Sequence, residues 1–442
     1  MKKTLSVLFF LLIIGKTTFS QGFFTYIDLS THFFETLNEG KFADAQAFFD
    51  ASAQEKVTPQ TLENMWKQIT AQLGAYESIN GAQNKSQNDL QSVILDCKFK
   101  RDSQPFQFIF NKENKMVGFF IVPKMNVPQY KPAAYTDTTS FKESFITIKS
   151  GEFDLPGMLT LPKKGEKFPL VIFVHGSGPS DMDETVGQNK PFKDLAAGFA
   201  GKGIASIRYV KRTMLYPQSF NDKAYTLKEE VTDDLEQVIT YAQSLPEIDQ
   251  SKIYIFGHSL GGMIAPKVAA KNTALKGIII AAAPARTFNT VFTEQLEYLK
   301  SKSQDTSAAS KKAFEDAIKE SKQASALKPN TLKPDSLING LPVSYLLDIN
   351  SLNQVATAKK LNTRIMVIQG GNDYQSTTAD YQLWNTALKN KKNVTLKLYP
   401  MLNHLFSFVN EKGTGMQYQQ PGNVDEVVVN DVSDWILENK DK

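Results

Sequence analysis

Apolar residues change their spacing along the chain, and the change divides it into two parts. In residues 24–75 they recur every three or four positions, which predicts helices. After about residue 76 the period is two, as around Cys97 and Phe108, which predicts strands. Helices followed by a meander of strands predict a small α+β domain over residues 24–125.

A different rhythm follows, in which short, purely apolar runs alternate with helical patterns. Such runs predict strands of a parallel sheet that is covered on both faces. The runs lie at residues 170–174, 203–209, 253–256, 277–282 and 364–368. We predict an α/β domain over residues 143–442. Residues 126–142 contain prolines and small polar residues without periodicity, which predicts a linker.

The segment at residues 287–345 interrupts the strand–helix rhythm. It contains no strongly apolar strand but does contain Lys-rich helical patterns, as at residues 310–327. Because long insertions in compact domains are often lids, we predict a helical cap. The alternative is a solvated decoration that does not contact substrate.

The first twenty residues predict a secretory signal peptide. Two lysines precede an apolar run at residues 5–14, and Thr18 and Ser20 are small residues at positions −3 and −1 of a cleavage site. The run is too short to span about 30 Å of hydrocarbon, and no later stretch reaches that length. We therefore expect an exported protein, periplasmic or secreted, with no membrane span in its mature chain.

Composition narrows the classes of partner. The 442 residues are 41% hydrophobic and carry a formal charge of +4 without a basic stripe, so we expect no nucleic-acid partner. Cys97 is the single cysteine, and therefore no intrachain disulfide can form. Its position on the apolar side of a predicted strand indicates a buried, unreactive thiol.

Residues 257–261 read Gly-His-Ser-Leu-Gly between an apolar strand and a helix rich in small residues. The bare G-x-S-x-G pattern should occur by chance in about one chain of this length in ten. In a tight strand–turn–helix, however, side chains at positions 257 and 261 would collide, and glycine avoids this collision. The context therefore predicts that Ser259 is a nucleophile. The alternative is an ordinary glycine-rich turn.

A serine nucleophile requires a base, and the chain has four histidines. His32 lies in the first domain, His258 lies inside the turn with its side chain directed elsewhere, and His175 precedes a glycine-rich loop. A further strand is predicted at residues 394–398, and His404 lies in the loop after it, where this type of fold supplies its base. We therefore predict His404 as the base.

The base requires an orienting carboxylate. Asp373 follows the apolar run 364–368, so it should lie at the same sheet edge as Ser259. The chain order Ser, Asp, His is the order that this fold uses. Asp348 and Asp380 are the competing carboxylates, but neither directly follows such a strand.

An oxyanion requires main-chain donors. The N–H of Leu260, directly after the nucleophile at a helix N-terminus, is one candidate. The second should come from the loop His-Gly-Ser-Gly at residues 175–178, where we predict the Ser177 N–H, with Gly176 as its rival. A phosphate-binding loop is excluded because the Lys-Ser/Thr ending is missing.

Residues 145–440 resemble the α/β-hydrolase superfamily, specifically bacterial carboxylesterase-like and serine aminopeptidase-like members. The resemblance is carried by the motifs at residues 175–178, 257–262, 370–373 and 403–404. It implies an eight-stranded, mostly parallel sheet and acyl transfer without a metal or other cofactor. Relatives often read Arg-Tyr-Asp-x-Arg-Gly where residues 208–213 read Arg-Tyr-Val-Lys-Arg-Thr, so substrate preference cannot be transferred. The first domain resembles a domain of unknown function that precedes such hydrolases.

The hypothesis is an exported serine esterase that cleaves a small-molecule carboxylic ester. A peptidase or amidase with the same triad is the nearest alternative, although no charged clamp for a peptide terminus is recognisable in the cap. An inactive hydrolase fold that serves as a binding protein is the alternative from another class. The first domain could also bind a polymer or a partner.

Overall fold

The computed structural model describes residues 19–84, 90–122, 130–220 and 223–438. The chain divides into two compact units between Val127 and Pro128. The predicted signal peptide, residues 1–20, lies outside the described residues except for its last two. Within the described ranges, no helix is both long and apolar enough to cross a membrane.

The first unit contains four helices followed by a four-stranded antiparallel meander in the order β1-β2-β3-β4. The helices are α1 (Phe19–Asn38), α2 (Phe42–Gln46), α3 (Ala51–Gln54) and α4 (Pro59–Leu73), and the strands are β1 (Tyr76–Asn84), β2 (Gln91–Phe99), β3 (Ser103–Phe110) and β4 (Met116–Ile121). Aromatic rings hold the two layers together. Phe34 of α1 lies 5.2 Å from Phe106 of β3, centroid to centroid, and both side chains are fully buried.

Cys97 belongs to this aromatic core, with its side chain fully buried on β2. Burial raises the pKa of the thiol, since the thiolate would be desolvated there. The predicted buried, unreactive thiol agrees with this environment.

The second unit is an α/β-hydrolase fold with an eight-stranded sheet in the order β14-β13-β10-β9-β7-β8-β6-β5. All neighbouring strands from β14 to β8 are parallel, and β6 runs antiparallel to both of its neighbours. The strands are β5 (Phe141–Ser150), β6 (Phe153–Pro162), β7 (Phe168–Val174), β8 (Ala205–Tyr209), β9 (Ile248–His258), β10 (Leu275–Ala281), β13 (Arg364–Gly370) and β14 (Val394–Tyr399). The predicted eight-stranded, mostly parallel sheet is confirmed.

Among its described residues, this unit also has ten α-helices and a small hairpin. They are α5 (Pro191–Gly201), α6 (Arg212–Leu215), α7 (Asp233–Ser244), α8 (Leu260–Lys271), α9 (Phe288–Lys302), α10 (Ala308–Ser325), β11 (Leu337–Ile338), β12 (Leu341–Pro342), α11 (Val343–Asn350), α12 (Gln354–Lys360), α13 (Thr378–Leu388) and α14 (Glu426–Leu437). Successive residues of β7 enter opposite cores: Ile172 packs with α7 and α8, and Phe173 packs with α5 and α14. Both faces of the sheet are therefore buried, which explains the continuous apolar runs.

Residues 130–140, predicted as part of a linker, pack on the hydrolase unit: the Tyr130 hydroxyl donates to Asp194 at 2.7 Å, and the Tyr135 hydroxyl donates to the Val424 oxygen at 2.9 Å. These partners are distant in sequence, so local periodicity does not reveal them. The helix before β9 begins as a π-helical turn, Lys228–Thr232, and continues as α7.

Candidate active site

Ser259 occupies a strained turn between β9 and α8. Its backbone has φ 53° and ψ −115°, a region that costs a non-glycine residue about 1–3 kcal/mol. The turn closes because two glycines stand beside it. A Cβ at Gly257 would lie 2.4 Å from the Gly261 oxygen, and a Cβ at Gly261 would lie 2.2 Å from the Val174 oxygen. The predicted collision at both positions is therefore present, and the turn presents Ser259 at the carboxyl edge of the sheet.

His404 and Asp373 are joined by a buried hydrogen bond. His404 Nδ1 lies 2.7 Å from Asp373 Oδ2. The other carboxylate oxygen, Oδ1, accepts the main-chain N–H groups of Gln375 at 2.7 Å and Ser376 at 3.0 Å. Gln369 Nε2 donates to Oδ2 at 3.0 Å. With every lone pair directed by a neighbour, the carboxylate has one orientation, and it fixes the imidazole with Nε2 as the free nitrogen.

The two competing carboxylates have other partners. Asp348 accepts the Leu227 N–H at 3.0 Å, and Asp380 is fully buried against the guanidinium of Arg286 at 2.8 Å. Neither of them is bonded to His404. Asp373 is thus the carboxylate that the fold places against this histidine.

The loops that carry Asp373 and His404 pack against each other by their backbones. Gly371 N–H donates to the Tyr399 oxygen at 2.8 Å, and Asn372 N–H donates to the Leu402 oxygen at 2.9 Å. A Cβ at Gly371 would lie 2.4 Å from the Pro400 oxygen. Glycine is required at this position, since only a residue without a side chain permits so close an approach.

His258 connects the loop of His404 to the turn that carries Ser259. The two imidazole rings are 4.6 Å apart, centroid to centroid, and His258 Nε2 lies 2.9 Å from the His404 main-chain oxygen. Within the part of the chain that the structure describes, no hydrogen bond joins Ser259 Oγ to His404. Ser259, Asp373 and His404 nevertheless share one edge of the sheet, because β9, β13 and β14 are parallel and their carboxyl ends lie together.

The two predicted main-chain donors are unoccupied. Neither the Ser177 N–H nor the Leu260 N–H has a hydrogen-bond partner among the described residues. Leu260 is the first residue of α8, where helix N–H groups point outward and carry partial positive charge. The rival donor, Gly176 N–H, is occupied: it donates to Glu184 Oε1 at 2.6 Å. A Cβ at Gly176 would lie 3.3 Å from Ser259 Cβ, so this loop packs directly on the serine.

Glu184 is a buried residue that sequence reasoning missed. Its second oxygen, Oε2, lies 2.9 Å from His258 Nδ1. Burial alone would raise the pKa of the Glu184 carboxyl, but the charge of His258 holds that pKa below its ordinary value. Burial alone would likewise lower the pKa of His258, but the Glu184 carboxylate raises it. The sequence signal was weak, a glutamate in the acidic stretch 181–184.

The His175 side chain contacts the backbone of its own loop. It is buried, and its Nε2 lies 2.9 Å from the Asp181 main-chain oxygen. Desolvation lowers the pKa of His175 to about 4, so the ring is neutral at pH 7. His32 lies in the first unit, exposed beside Glu35.

Comparison with known proteins gives the class. Residues 225–412 match the family described as serine aminopeptidase, S33. Residues 30–119 match the family described as protein of unknown function, DUF3887. The chain belongs to the α/β-hydrolase superfamily and is an enzyme, a serine hydrolase.

One relative covers almost the whole chain. The chain is similar to esterase EstD of Thermotoga maritima, with 32% identity over 405 residues, which is 92% of this chain and 94% of that protein. Two solved structures align with the chain at low identity. Est1E from Butyrivibrio proteoclasticus has 16% identity and a TM-score of 0.43, with 66% of this chain and 98% of that chain covered. An acylaminoacyl peptidase from Pyrococcus horikoshii has 16% identity and a TM-score of 0.40, with coverages of 74% and 45%.

Proposed function

We propose that the protein hydrolyses carboxylic esters through an acyl-enzyme intermediate on Ser259, with His404 as the base and Asp373 as the residue that orients it. The observation that carries the proposal is the buried Asp373–His404 hydrogen bond of 2.7 Å at the edge where Ser259 occupies a strained turn. The similarity to an esterase over 92% of the chain supports esters as the substrate class.

In the first step, Ser259 Oγ attacks the ester carbonyl carbon and its proton passes to His404 Nε2. Asp373 stabilises the imidazolium through the Nδ1 hydrogen bond. The carbonyl oxygen becomes an oxyanion, and the unoccupied N–H groups of Ser177 and Leu260 donate to it. When the tetrahedral intermediate collapses, the alcohol leaves with the proton held by His404.

In the second step, water replaces the alcohol. His404 accepts a proton from the water as the oxygen attacks the acyl carbon. The second tetrahedral intermediate then expels Ser259 Oγ, which recovers its proton from His404. The carboxylic acid is released, and the enzyme returns to its starting state without a cofactor.

We also propose that the insertion at residues 287–345 is a cap at this site. Its first helix, α9, contacts the residues that directly follow Asp373. Tyr298 stacks on Tyr374 with centroids 5.8 Å apart, and Gln295 Nε2 donates to the Gln375 oxygen at 2.8 Å. A helix anchored there borders the substrate entrance, so it is expected to limit the size of the accepted acyl group.

The test is labelling of the purified protein with a fluorophosphonate probe, together with ester turnover. Wild type should be labelled, and Ser259→Ala should lose both the label and the turnover. Ser251→Ala, a change at an exposed serine away from the edge, should keep both. Equal labelling of wild type and Ser259→Ala would refute the proposal. Comparing short acyl esters with aminoacyl amides separates an esterase from an amidase.

We propose export as a further feature, on the basis of the apolar run at residues 5–14 and the small residues before Gln21. In a bacterial host, the exported protein should begin at Gln21 by N-terminal sequencing. Replacing two leucines of the run by arginine should leave the chain uncleaved in the cytoplasm. Export without cleavage at this position would contradict the proposed signal peptide.

A further inference from the structure

The loop that carries Ser177 is held on both sides by buried acids. Gly176 N–H donates to Glu184 Oε1 at 2.6 Å, and Gly178 N–H donates to Glu230 Oε1 at 3.1 Å. The N–H between them, that of Ser177, has no partner among the residues that the structure describes. Two neighbouring donors are therefore occupied and the middle one is left available.

Each acid is paired with a buried base. Glu230 Oε1 lies 2.7 Å from Lys211 Nζ, with side-chain exposures of 4% and 3%. Glu184 Oε2 lies 2.9 Å from His258 Nδ1, with exposures of 8% and 6%. Burying four ionisable groups costs free energy that pairing does not always recover, so such pairs are weak devices for stability alone. Their position around one loop suggests that they serve its geometry.

Lys211 acts directly on the peptide group that contains the Ser177 N–H. Its Nζ donates to the Gly176 oxygen at 2.9 Å. The peptide bond is planar and trans, so the Gly176 C=O and the Ser177 N–H belong to one rigid plane and point in opposite directions. A cation fixed on the oxygen consequently sets the direction of the N–H on the other side.

The Glu184–His258 pair connects the same loop to the base. His258 Nε2 lies 2.9 Å from the His404 main-chain oxygen, while Glu184 holds the Gly176 N–H. The oxyanion loop and the loop of His404 are thus joined through one imidazole. The backbone of Glu184 has φ 52°, a strained conformation for glutamate that its surroundings must stabilise.

We propose that the members of two ion pairs, Lys211–Glu230 and Glu184–His258, are positioning residues. They orient the Ser177 N–H toward the oxyanion. This inference rests on the proposed function. The donor is part of the main chain, so its alignment depends on side chains that never touch the substrate. Loss of a pair should therefore weaken oxyanion stabilisation more than substrate binding.

The test replaces the Lys211–Glu230 pair by apolar residues, as K211M/E230L, which removes both charges together and leaves neither buried alone. The readout is the ratio of kcat/KM for a carboxylic ester to that for the matching thionoester. Sulfur accepts hydrogen bonds more weakly than oxygen, so a well-aimed donor favours the oxygen ester. We expect the ester kcat to fall about 10–100-fold with little change in KM, and the ratio to fall about tenfold.

The matched control is the neighbouring buried pair Arg212–Asp234, replaced as R212M/D234L. Arg212 Nε lies 3.0 Å from Asp234 Oδ1, and neither side chain is bonded to residues 176–178. The free energy of unfolding of R212M/D234L should change by about as much as that of K211M/E230L. Its ratio of ester to thionoester kcat/KM should stay at the wild-type value. An equal fall of the ratio in both double variants would overturn the inference, because a general loss of stability would then explain it.

Two further arms make the outcome decisive. Glu230→Gln keeps an oxygen for the Gly178 N–H but removes the charge that holds Lys211, so its ratio should fall below that of the control. It carries the test if K211M/E230L does not fold, and a ratio equal to that of the control would then overturn the inference. An unchanged ratio in folded K211M/E230L overturns the inference while Ser259-dependent turnover persists. Absence of Ser259-dependent turnover in wild type instead refutes the proposed function itself.

Discussion

His258 Nε2 lies 2.9 Å from the main-chain oxygen of His404, so the residue before the proposed nucleophile contacts the backbone of the proposed base. The two loops come from β9 and β14, which are separated in the sheet by β10 and β13. This contact fixes the turn that carries Ser259 and the loop that carries His404 relative to each other. The consequences can be measured at several residues around the site.

Asp373→Asn should lower kcat by about 10³–10⁴-fold with little change in KM. The amide oxygen can still accept from the Gln375 and Ser376 N–H groups, so the amide nitrogen would face His404 Nδ1. Two donors would then oppose each other, and the imidazole would change tautomer and lose its basic Nε2. Steady-state kinetics with a short-chain ester measures the effect.

Asp380→Asn is the matched control for that prediction. Asp380 is equally buried, but it accepts from Arg286 and from the main chain at residues 285 and 286. Its replacement should lower the thermal midpoint and retain most of kcat. A loss of kcat in Asp380→Asn as large as that in Asp373→Asn would contradict the assignment of Asp373.

The Glu184–His258 pair should give stability a defined pH dependence. The folded-state pKa of His258 is raised, so its contribution is complete below the unfolded value of about 6.5 and is lost as pH rises through the folded pKa. The folded-state pKa of Glu184 is lowered, so its contribution is present above about 4.3 and is lost as pH falls through the folded pKa.

The difference in free energy of unfolding between wild type and Glu184→Gln should therefore be largest between about pH 4.5 and 6.5. Above that window it should shrink as His258 loses its proton. Urea unfolding at a series of pH values measures the difference. A difference that stays constant from pH 5 to pH 9 would show that the pair is not ionised in the folded protein.

The parts of the site that follow from local pattern were predictable from sequence. Ser259 lies in a pentapeptide whose glycines are required by sterics within five residues, and the β13–α13–β14 spacing brings Asp373 and His404 to one edge. The catalytic roles of these residues remain predictions. By contrast, β5 and β6 were not among the apolar runs, because β5 is an edge strand that is mostly exposed over its first seven residues.

The buried acids and Lys211 were not predictable in the same way. Glu184, Glu230 and Lys211 stand in polar stretches, and nothing local indicates that they are buried. Each is paired only through tertiary contacts, Lys211 with a glutamate 19 residues later. The resemblance to relatives indicated that residues 208–213 depart from their usual motif, but it did not indicate what Lys211 would contact.

Gly261→Ala should lower the free energy of unfolding by about 1–3 kcal/mol and reduce turnover. The added methyl group would lie 2.2 Å from the Val174 oxygen, a main-chain atom that cannot move without shifting β7. The control is Gly201→Ala, at the end of α5, where the nearest atom is 4.0 Å away. That change should be neutral or stabilise by up to about 1 kcal/mol. Urea denaturation of both variants distinguishes them.

Tyr298→Phe should loosen α9 without unfolding the protein. The hydroxyl lies 3.0 Å from the oxygens of both Lys412 and Gly413, and the ring stacks on Tyr374. Phenylalanine keeps the stack and loses hydrogen bonding worth about 1 kcal/mol. Hydrogen exchange of the α9 amides should accelerate about fivefold, with α8 unchanged.

If α9 belongs to a cap, the same variant should alter KM for bulky acyl esters more than for acetyl esters, because a looser cap widens the entrance. Tyr241→Phe on α7 is the control, since α7 lies outside the insertion and the hydrogen bond at Tyr241 involves its main-chain oxygen, not its hydroxyl. That variant should leave both exchange and kinetics unchanged. Faster α9 exchange combined with unaltered discrimination between acyl lengths would show that the insertion moves independently of substrate selection.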